Sequence, residues 1–231
     1  MNGIIAGTSL LGSSIFDSWI KRRIETPYGY TNVRIRQNVV FIQRHGEPPA
    51  APHLINHRAN VWALKSLHVK KIVSINSVGS LKLRLKPCMF VIPEDFISLW
   101  SIPTFFDKEM KFIVPEMHKY MNAYLHRLCK EIGFNVHQGG VYVQTSGPRL
   151  ETKAEIRMIK RFGDIVGMTM ASEATLCMEY KIPYTSLCSV DNYCNGIVKT
   201  PLTVKEIYEN CQKNMERVES LIRLMLERDF S

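Results

Sequence analysis

Polar residues that directly follow apolar runs are the first candidates for chemistry in this chain. Thr8, the pair Arg44 and His45, and Ser77 each come at the end of such a run. The arginine guanidinium is a planar fork that matches phosphate oxygens, and hydroxyl and main-chain N–H groups beside small residues supply further donors. These residue types together predict a site that holds one inorganic oxyanion without a metal ion.

The chain has none of the common sequence patterns for nucleotide, metal or serine-hydrolase sites. It contains no GxxxxGK[ST], no GxGxxG, no HExxH and no GxSxG. Its six cysteines form no CxxC pair and no Cys/His ligand spacing. We therefore expect neither a metal nor a bound cofactor.

The candidate residues must be positioned by an α/β framework, because short apolar runs alternate with longer amphipathic stretches. The 231 residues contain no linker or repeat, so one domain covering 1–231 is expected. Near-continuous apolar strands predict a sheet that is covered on both faces. Strands are expected at residues 2–7, 38–43, 71–76, 89–93, 140–145, 164–169 and 184–190. Helices are expected within 57–69 and 151–162 and from Val204 to Met225. For the last helix, Thr203 is the expected N-cap and Glu206 completes a capping box.

Residues 94–120 have aromatics and prolines without clean periodicity, which is typical of a surface loop or of a loop that touches a neighbouring subunit. In this segment Phe105 and Phe106 either reach a neighbour's active site or pack as part of the loop. Both interpretations stay open at the level of sequence.

The net charge of +9 has two interpretations, an anionic ligand or a solvated basic face. A nucleic-acid-binding protein would cluster its basic residues with exposed aromatics, whereas here they are scattered through amphipathic stretches, so no nucleic-acid partner is expected. No apolar run approaches the roughly 20 residues that span a bilayer. The N-terminus lacks the charged start of a secretory signal, so we expect no membrane association and a cytoplasmic protein with reduced thiols.

Three segments of the chain resemble the trimeric purine nucleoside phosphorylase and methylthioadenosine phosphorylase family. They cover residues 41–81, with RHG followed by NxRAN and GSL, residues 140–174, with GPRxET followed by GMT, and residues 189–197. The closest motif match is to the 5′-methylthioinosine phosphorylase branch, which acts on 6-oxopurines. The resemblance implies a single-domain nucleoside phosphorylase fold, a mixed twisted β-sheet flanked by helices, assembled as a homotrimer or a dimer of trimers. It also implies inorganic phosphate as the co-substrate.

The resemblance assigns a role to each matching position. The phosphate ligands it implies are Thr8, Arg44, His45, Thr169 and the main-chain N–H of Ser77. The nucleoside contacts it implies are Met168 under the ribose, Leu150 against the purine, Glu151 at the N1 edge of the base, Asn192 and Cys194 at its other edge, and Val204 in the pocket for the sugar's 5′ substituent. Among these, His45 and Asn192 are the residues expected to be catalytic.

Asn192 is the position that predicts the base. SVDNYCNG aligns with a family pattern VTDYDxG, so that Asn192 and Cys194 replace two aspartates that serve 6-aminopurine branches. An asparagine can donate to O6 and accept from N7–H, whereas a carboxylate facing O6 is left unpaired at a cost of about 1.5–3 kcal/mol. An alternative register makes Asp191 the base-binding acid and restores 6-amino recognition.

The expected reaction is phosphorolysis of 5′-methylthioinosine, inosine or guanosine to the free base and the sugar 1-phosphate. A 5′-methylthioadenosine phosphorylase and a hydrolytic nucleosidase are the alternatives, and the latter requires a carboxylate beside the attacking water. Two departures from the family stand out. Gly-Thr-Ser replaces Gly-Thr-Gly at residues 7–9, and the histidine that a neighbouring subunit lends to the 5′ pocket has no match in KFIVPEM.

Overall fold

The computed structural model describes residues 1–100, 102–228 and 230, and within them one eleven-stranded mixed sheet forms the framework. Five helices are described: α1 (His57–Ser66), α2 (Lys119–Glu131), α3 (Lys153–Ile159), α4 (Met170–Glu179) and α5 (Val204–Glu227). The strands are β1 (Asn2–Ala6), β2 (Ile20–Thr26), β3 (Gly29–Arg36), β4 (Val39–Gln43), β5 (Ile72–Ser80), β6 (Phe90–Ile92), β7 (Asp95–Ser98), β8 (Val136–Gln138), β9 (Val141–Gln144), β10 (Ile165–Gly167) and β11 (Tyr184–Tyr193).

The centre of the sheet is parallel, in the order β4-β1-β5-β11. The first part of β5 pairs with β1, and the end of β5 pairs with β10 in the antiparallel direction. β11 pairs with the other side of β5. Beyond β10 lie β9 and β7, and beyond β11 lie β6 and β8. The predicted fold class, a mixed sheet flanked by helices, is confirmed.

Helices cover both faces of the sheet, as the continuous apolar strands predict. Ile4 and Ile5 of β1 point to opposite faces and belong to different core clusters. The cluster around Ile4 takes in α2 and α5, and the cluster around Ile5 takes in α1 and α4. Within the described helices, none combines the length and apolar composition needed to cross a membrane.

The seven predicted strands and three predicted helices are all present, with ends shifted by a few residues. Thr203 caps α5, since its side chain accepts from the N–H of Glu206. The reciprocal capping box, however, lies at α3, where Thr152 and Glu155 bond to each other's main chain.

Several elements were not predicted. β2 and β3 form a polar hairpin at the edge of the sheet, where charged residues rather than apolar runs are common. The loop predicted at 94–120 contains β7, which pairs with β9, and the first two residues of α2, so that prediction is wrong for these six residues. Most residues of α4 are themselves buried, including Glu173, so the helix lacks the exposed polar face that marks an amphipathic helix in a sequence. Phe105 stacks on Tyr180 of the same chain, with ring centroids 4.1 Å apart.

Candidate active site

The site begins at a gap in the sheet beside β5. β1 ends with Ala6 opposite Ile75, and β10 takes up the pairing only at Val166, opposite Gly79. Between them, residues 76–78 of β5 have no strand on that side in the described part of the chain. A main-chain edge is thus left open in the middle of the sheet.

The main-chain bonds around β5 show which residues point into this gap. On the β1 and β10 side, Gly3 N donates to Lys71 O and Leu81 N donates to Asp164 O. On the β11 side, Ile72 N donates to Pro183 O. Because successive residues of a strand direct their main-chain groups to opposite sides, the odd-numbered ones face the gap. The N–H of Ser77 therefore points to where a phosphate oxygen could accept it.

The gap opens into a cleft whose empty volume of about 920 Å³ includes open solvent. The turn after β1, the end of β4, the start of α4, the end of β11 and the first turns of α5 surround it. Ten of the eleven predicted site residues line this cleft: Thr8, Arg44, His45, Ser77, Leu150, Glu151, Met168, Thr169, Asn192 and Cys194.

Val204 is the predicted site residue that the structure does not place in the cleft. It is the first residue of α5, 59% exposed, and lines a neighbouring groove that shares Leu150 with the cleft. The helix turns its later positions inward instead, so that Ile207, Tyr208 and Cys211 line the cleft. Counted from Val204, these residues lie at i+3, i+4 and i+7, on one face of the helix, and the periodicity of the sequence could have indicated them.

Most of the hydrogen-bond donors of Arg44 are used within the protein. Its Nε donates to Glu173 at 2.6 Å, one Nη donates to Ile75 O at 2.8 Å, and the other Nη donates to Ser74 at 2.7 Å and to Glu173 at 3.3 Å. These bonds use four of the five guanidinium N–H groups. The sequence suggested that the guanidinium would bind phosphate through two N–H groups, but only one N–H group is left for an anion.

Glu173 neutralises Arg44 inside the protein, where both side chains are buried. The Ser74 and Tyr184 hydroxyls donate to its second oxygen at 2.7 and 3.1 Å. Burial, the largest single effect, would raise the pKa of Glu173, but the charge of Arg44 and the hydrogen bonds from Arg44 and Ser74 together outweigh it, and the pKa is lowered. The carboxylate is therefore ionised, fully bonded and closed to solvent.

Thr169 caps the N-terminal end of α4 and has its hydroxyl arranged as a donor. Asn76 Nδ2 donates to Thr169 Oγ1 at 2.9 Å, and Asn76 Oδ1 accepts from the Ser186 hydroxyl at 2.7 Å. Because Thr169 Oγ1 already accepts, its own proton is left for a ligand oxygen. The start of a helix also favours an anion at this place.

His45 has its Nδ1 2.8 Å from Ala50 O, and a nitrogen facing a carbonyl oxygen must carry a proton. Burial lowers the pKa of His45, and Arg44 lowers it further, against the opposing effect of the Ala50 bond. The neutral ring therefore presents Nε2 as an acceptor. His45 was expected to donate to phosphate, but in its neutral form it accepts from a protonated phosphate oxygen or a sugar hydroxyl.

His57, behind Arg44, is predicted to make the protein sensitive to acid. Burial lowers its pKa to about 4, and Nδ1 has no hydrogen-bond partner among the described residues. In the unfolded chain the His57 imidazole binds a proton below about pH 6.5, whereas in the folded protein it stays neutral down to about pH 4. The free energy of unfolding therefore falls as the pH drops from about 6.5 towards 4.

Substituting His57→Gln should remove about 2 kcal/mol of the loss between pH 7 and pH 5, measured by urea unfolding at both pH values. His53→Gln is the matched control, because His53 is exposed and should leave the pH dependence unchanged. A His57→Gln profile that superimposes on that of the unaltered protein would contradict the assignment.

Glu151 and Asn192 supply further polar groups to the cleft. Glu151 is buried, with one carboxylate oxygen accepting from Thr145 at 2.6 Å. Asn192 Nδ2 donates to Tyr193 O at 3.0 Å, which leaves its Oδ1 as an acceptor and one N–H as a donor. A Cβ on Gly79 would lie 2.5 Å from Cys194 Sγ and 3.2 Å from Asn192 Nδ2, so glycine permits this close packing.

Asp191 also lines the cleft, although the preferred alignment gave it no role. β11 contains a bulge here: Val190 pairs with Val78 and Asn192 with Gly79, which leaves Asp191 as the extra residue. A bulge re-aims side chains that regular alternation would send to opposite faces. Asp191 and Asn192 consequently both line the cleft.

Comparison with known proteins agrees with this geometry. The model of the Phosphorylase superfamily matches residues 21–227. The chain is 41% identical to the "Probable 6-oxopurine nucleoside phosphorylase" of Archaeoglobus fulgidus, over 93% of this chain and 90% of that one. It is 40% identical to the "Probable S-methyl-5'-thioinosine phosphorylase" of Methanocaldococcus jannaschii, over 100% of this chain and 93% of that one.

Among solved structures, the methylthioadenosine phosphorylase of Schistosoma mansoni in complex with adenine superimposes with a TM-score of 0.84 and 25% identity. The match covers 95% of this chain and 88% of that one. A family match over nearly the whole sequence, relatives at about 40% identity and a shared fold lead to one conclusion. This chain is a member of the Phosphorylase superfamily.

Proposed function

We propose that this protein is a purine nucleoside phosphorylase, a pentosyltransferase that cleaves a 6-oxopurine nucleoside with inorganic phosphate. The observation that carries the proposal is that a single cleft combines two kinds of polar group. The open N–H of Ser77 and the Thr169 hydroxyl can bind an anion, and Glu151 and Asn192 in the same lining can bind a base. Relatives named for 6-oxopurine nucleosides and for S-methyl-5′-thioinosine support the same substrate class.

In this mechanism phosphate lies beneath C1′ of the sugar. Ser77 N–H, the hydroxyls of Thr8 and Thr169 and the remaining N–H of Arg44 bind it, and His45 accepts from its protonated oxygen. As the bond to the base weakens, positive charge develops on C1′ and the phosphate stabilises it before bonding to it. The chain supplies positioning and donors fixed in advance, which are worth about 10²–10³ in rate per donor.

The nucleoside roles follow from the same arrangement. Met168 packs under the ribose, held where Gly147 has no side chain: a Cβ on Gly147 would lie 2.4 Å from Met168 Sδ. Leu150 contacts the purine face, Glu151 binds N1–H, and Asn192 serves O6 and N7, with Cys194 behind it. Apolar Leu202 and Ile207 at the α5 side of the cleft favour a 5′-methylthio group, with inosine and guanosine as the 5′-hydroxyl alternatives.

A hydrolytic nucleosidase is disfavoured by the state of Glu173, the carboxylate that is paired with the proposed phosphate ligand Arg44. Hydrolysis needs a carboxylate that can take a proton from water. Glu173 accepts from Arg44, Ser74 and Tyr184 and is inaccessible to solvent. A 5′-methylthioadenosine phosphorylase is disfavoured by Asn192, whose amide can donate to a 6-oxo group.

The quaternary structure and location extend the proposal. We place residues 1–231 in one nucleoside phosphorylase domain that assembles as a homotrimer or a dimer of trimers. The almost fully exposed apolar side chains Met110, Phe112 and Val114 are consistent with a covered surface. The six cysteines have free thiols, which suits the cytoplasm.

The test is base release from inosine and from 5′-methylthioinosine with and without phosphate. We expect release only with phosphate, together with formation of the sugar 1-phosphate, and a higher kcat/KM for the methylthio substrate. Adenosine and 5′-methylthioadenosine serve as 6-amino controls. Release at full rate without phosphate would identify a hydrolase and overturn the proposal.

A further inference from the structure

Four lysines form a basic surface at the end of the sheet opposite the active-site cleft. Lys70 and Lys71 directly precede β5, Lys181 lies in the turn before β11, and Lys65 lies in the last turn of α1. These turns are neighbours, because Ile72 N donates to Pro183 O at 2.8 Å. The cleft lies at the other ends of the same parallel strands, so the basic surface is a separate feature of the molecule.

Two adjacent concavities make up the basic surface, and Lys70 lines both of them. Trp62 and Tyr180 line one, and Tyr120 and Tyr124 line the other. Among the described residues, neither lining contains an aspartate or a glutamate. Basic residues interleaved with aromatic ones, without acids, are the composition that binds nucleic acids.

The fold gathers basic residues that the sequence keeps apart. The linings of the two concavities come from three separate segments, within residues 62–71, 118–124 and 180–183. The expectation that the protein has no nucleic-acid partner rested on the scatter of basic residues along the chain. The structure removes that ground for it, because the scattered residues meet on one face.

The lysines of the basic surface have no carboxylate partners in the described part of the chain. Lys65 Nζ lies 3.8 Å from the centre of the Tyr180 ring, and Lys71 Nζ donates to a main-chain oxygen. Lys70 and Lys181 are exposed, and their ammonium groups have no partner among the described residues. These four positive charges are therefore not neutralised by ion pairs.

An alternative explanation for the lysines is that they offset the negative ends of helix dipoles. α1 and α4 both end at this face, and each helix end carries about half a negative charge. Glu179 adds a carboxylate there, which accepts from Thr104 Oγ1 and Phe105 N, while the start of α2 adds about half a positive charge. Four ammonium groups exceed this need and leave about two to three positive charges for a partner.

We propose that the basic surface binds single-stranded nucleic acid, with its lysines on the phosphates and Tyr120 stacked on a base. The Tyr180 ring already has Phe105 stacked on it and Lys65 above it, whereas Tyr120 is 85% exposed. Concavities with an aromatic side chain suit a strand whose bases can turn inward. A duplex is instead read by a helix or ribbon that enters a groove, and this face has neither.

The test is fluorescence anisotropy of a fluorescein-labelled oligothymidylate of twelve nucleotides with the full chain. We expect micromolar binding in about 50 mM salt, and a plot of log Kd against log salt with a slope of about 3 if four phosphates are contacted. The double variant Lys70→Glu with Lys181→Glu should weaken binding at least tenfold and lower that slope by about 1.4. Tyr120→Ala should weaken binding about tenfold without changing the slope.

The matched control is the double variant Lys86→Glu with Lys130→Glu, which changes the net charge equally. Lys86 follows β5 and Lys130 lies in the last turn of α2, and both are exposed and outside the linings of the basic surface. We expect this variant to weaken binding by less than about threefold, because salt screens charges at that distance. Urea unfolding of every variant shows that the fold is kept.

Four outcomes would overturn the inference. They are no binding by the unaltered protein, equal weakening by the two double variants, no effect of Tyr120→Ala, or equal affinity for the single strand and for the corresponding duplex. None of these outcomes bears on phosphorolysis, which is measured separately at the cleft.

Discussion

Substitution of Arg44 by methionine is expected to lower the free energy of unfolding by about 3–5 kcal/mol and to abolish phosphate-dependent cleavage. Glu173 would be left as a carboxylate that is 1% exposed and has lost its cation. Glu173→Leu should cost a similar amount, because Arg44 then loses two of its four bonds to the protein. Urea unfolding at pH 7 and the rate of inosine phosphorolysis are the two measurements.

The double variant Arg44→Met with Glu173→Leu separates stability from function. An apolar pair of similar volume replaces the buried ion pair, so we expect most of the lost stability to return while the activity stays absent. The exposed pair Arg23 and Glu25 is the matched control, and removing both partners there should change stability by less than about 1 kcal/mol. A double variant as unstable as the sum of the two single variants would contradict the assigned coupling.

Asn192→Asp is expected to shift the preference from 6-oxopurine to 6-aminopurine nucleosides by roughly 10–150-fold in the ratio of kcat/KM values. The new carboxylate would face O6 of inosine without a donor, but could accept from the 6-amino group of adenosine. Asn192 Nδ2 also donates to Tyr193 O, so the variant replaces that hydrogen bond with two facing acceptors and should lose some activity on both substrates. The measurement is kcat/KM for inosine and adenosine at saturating phosphate.

Asn195→Asp is the control for this change. Asn195 lines the same cleft three residues further on, so it introduces the same charge without replacing the group assigned to O6. Its ratio of inosine to adenosine activity should stay within about threefold of that of the unaltered protein. If Asn192→Asp left the ratio unchanged, the alignment of residues 189–197 would be wrong and the alternative register with Asp191 at the base would gain support.

Local patterns predicted most of the strands and three of the five described helices, and the family resemblance supplied most of the cleft residues. Long-range pairing explains part of what both missed. The apolar steps from Val204 to Met225 were sufficient to predict α5, because a helix repeats within a few residues. The pairing of Arg44 with Glu173 joins residues 129 positions apart, and no local pattern encodes it. The resemblance placed a donor at Ser77, but only the strand register shows why its N–H is open.

The bulge at Asp191 was equally invisible, since a strand with one extra residue has the same composition as a regular strand. Sequence analysis gave Asp191 a role only in the alternative register, and the structure shows that it is the extra residue of the bulge and lines the cleft. Departures from local rules are expected where function is built.

The gap beside β5 has a further consequence for how such an enzyme can change. A β1 strand longer by three residues would continue the ladder along residues 76–78 and add main-chain hydrogen bonds to the fold. That same ladder would fill the place where the substrate oxyanion is to bind. A continuous ladder along residues 76–78 and phosphate binding at Ser77 therefore exclude each other. Any homologue that keeps the proposed activity must keep β1 short.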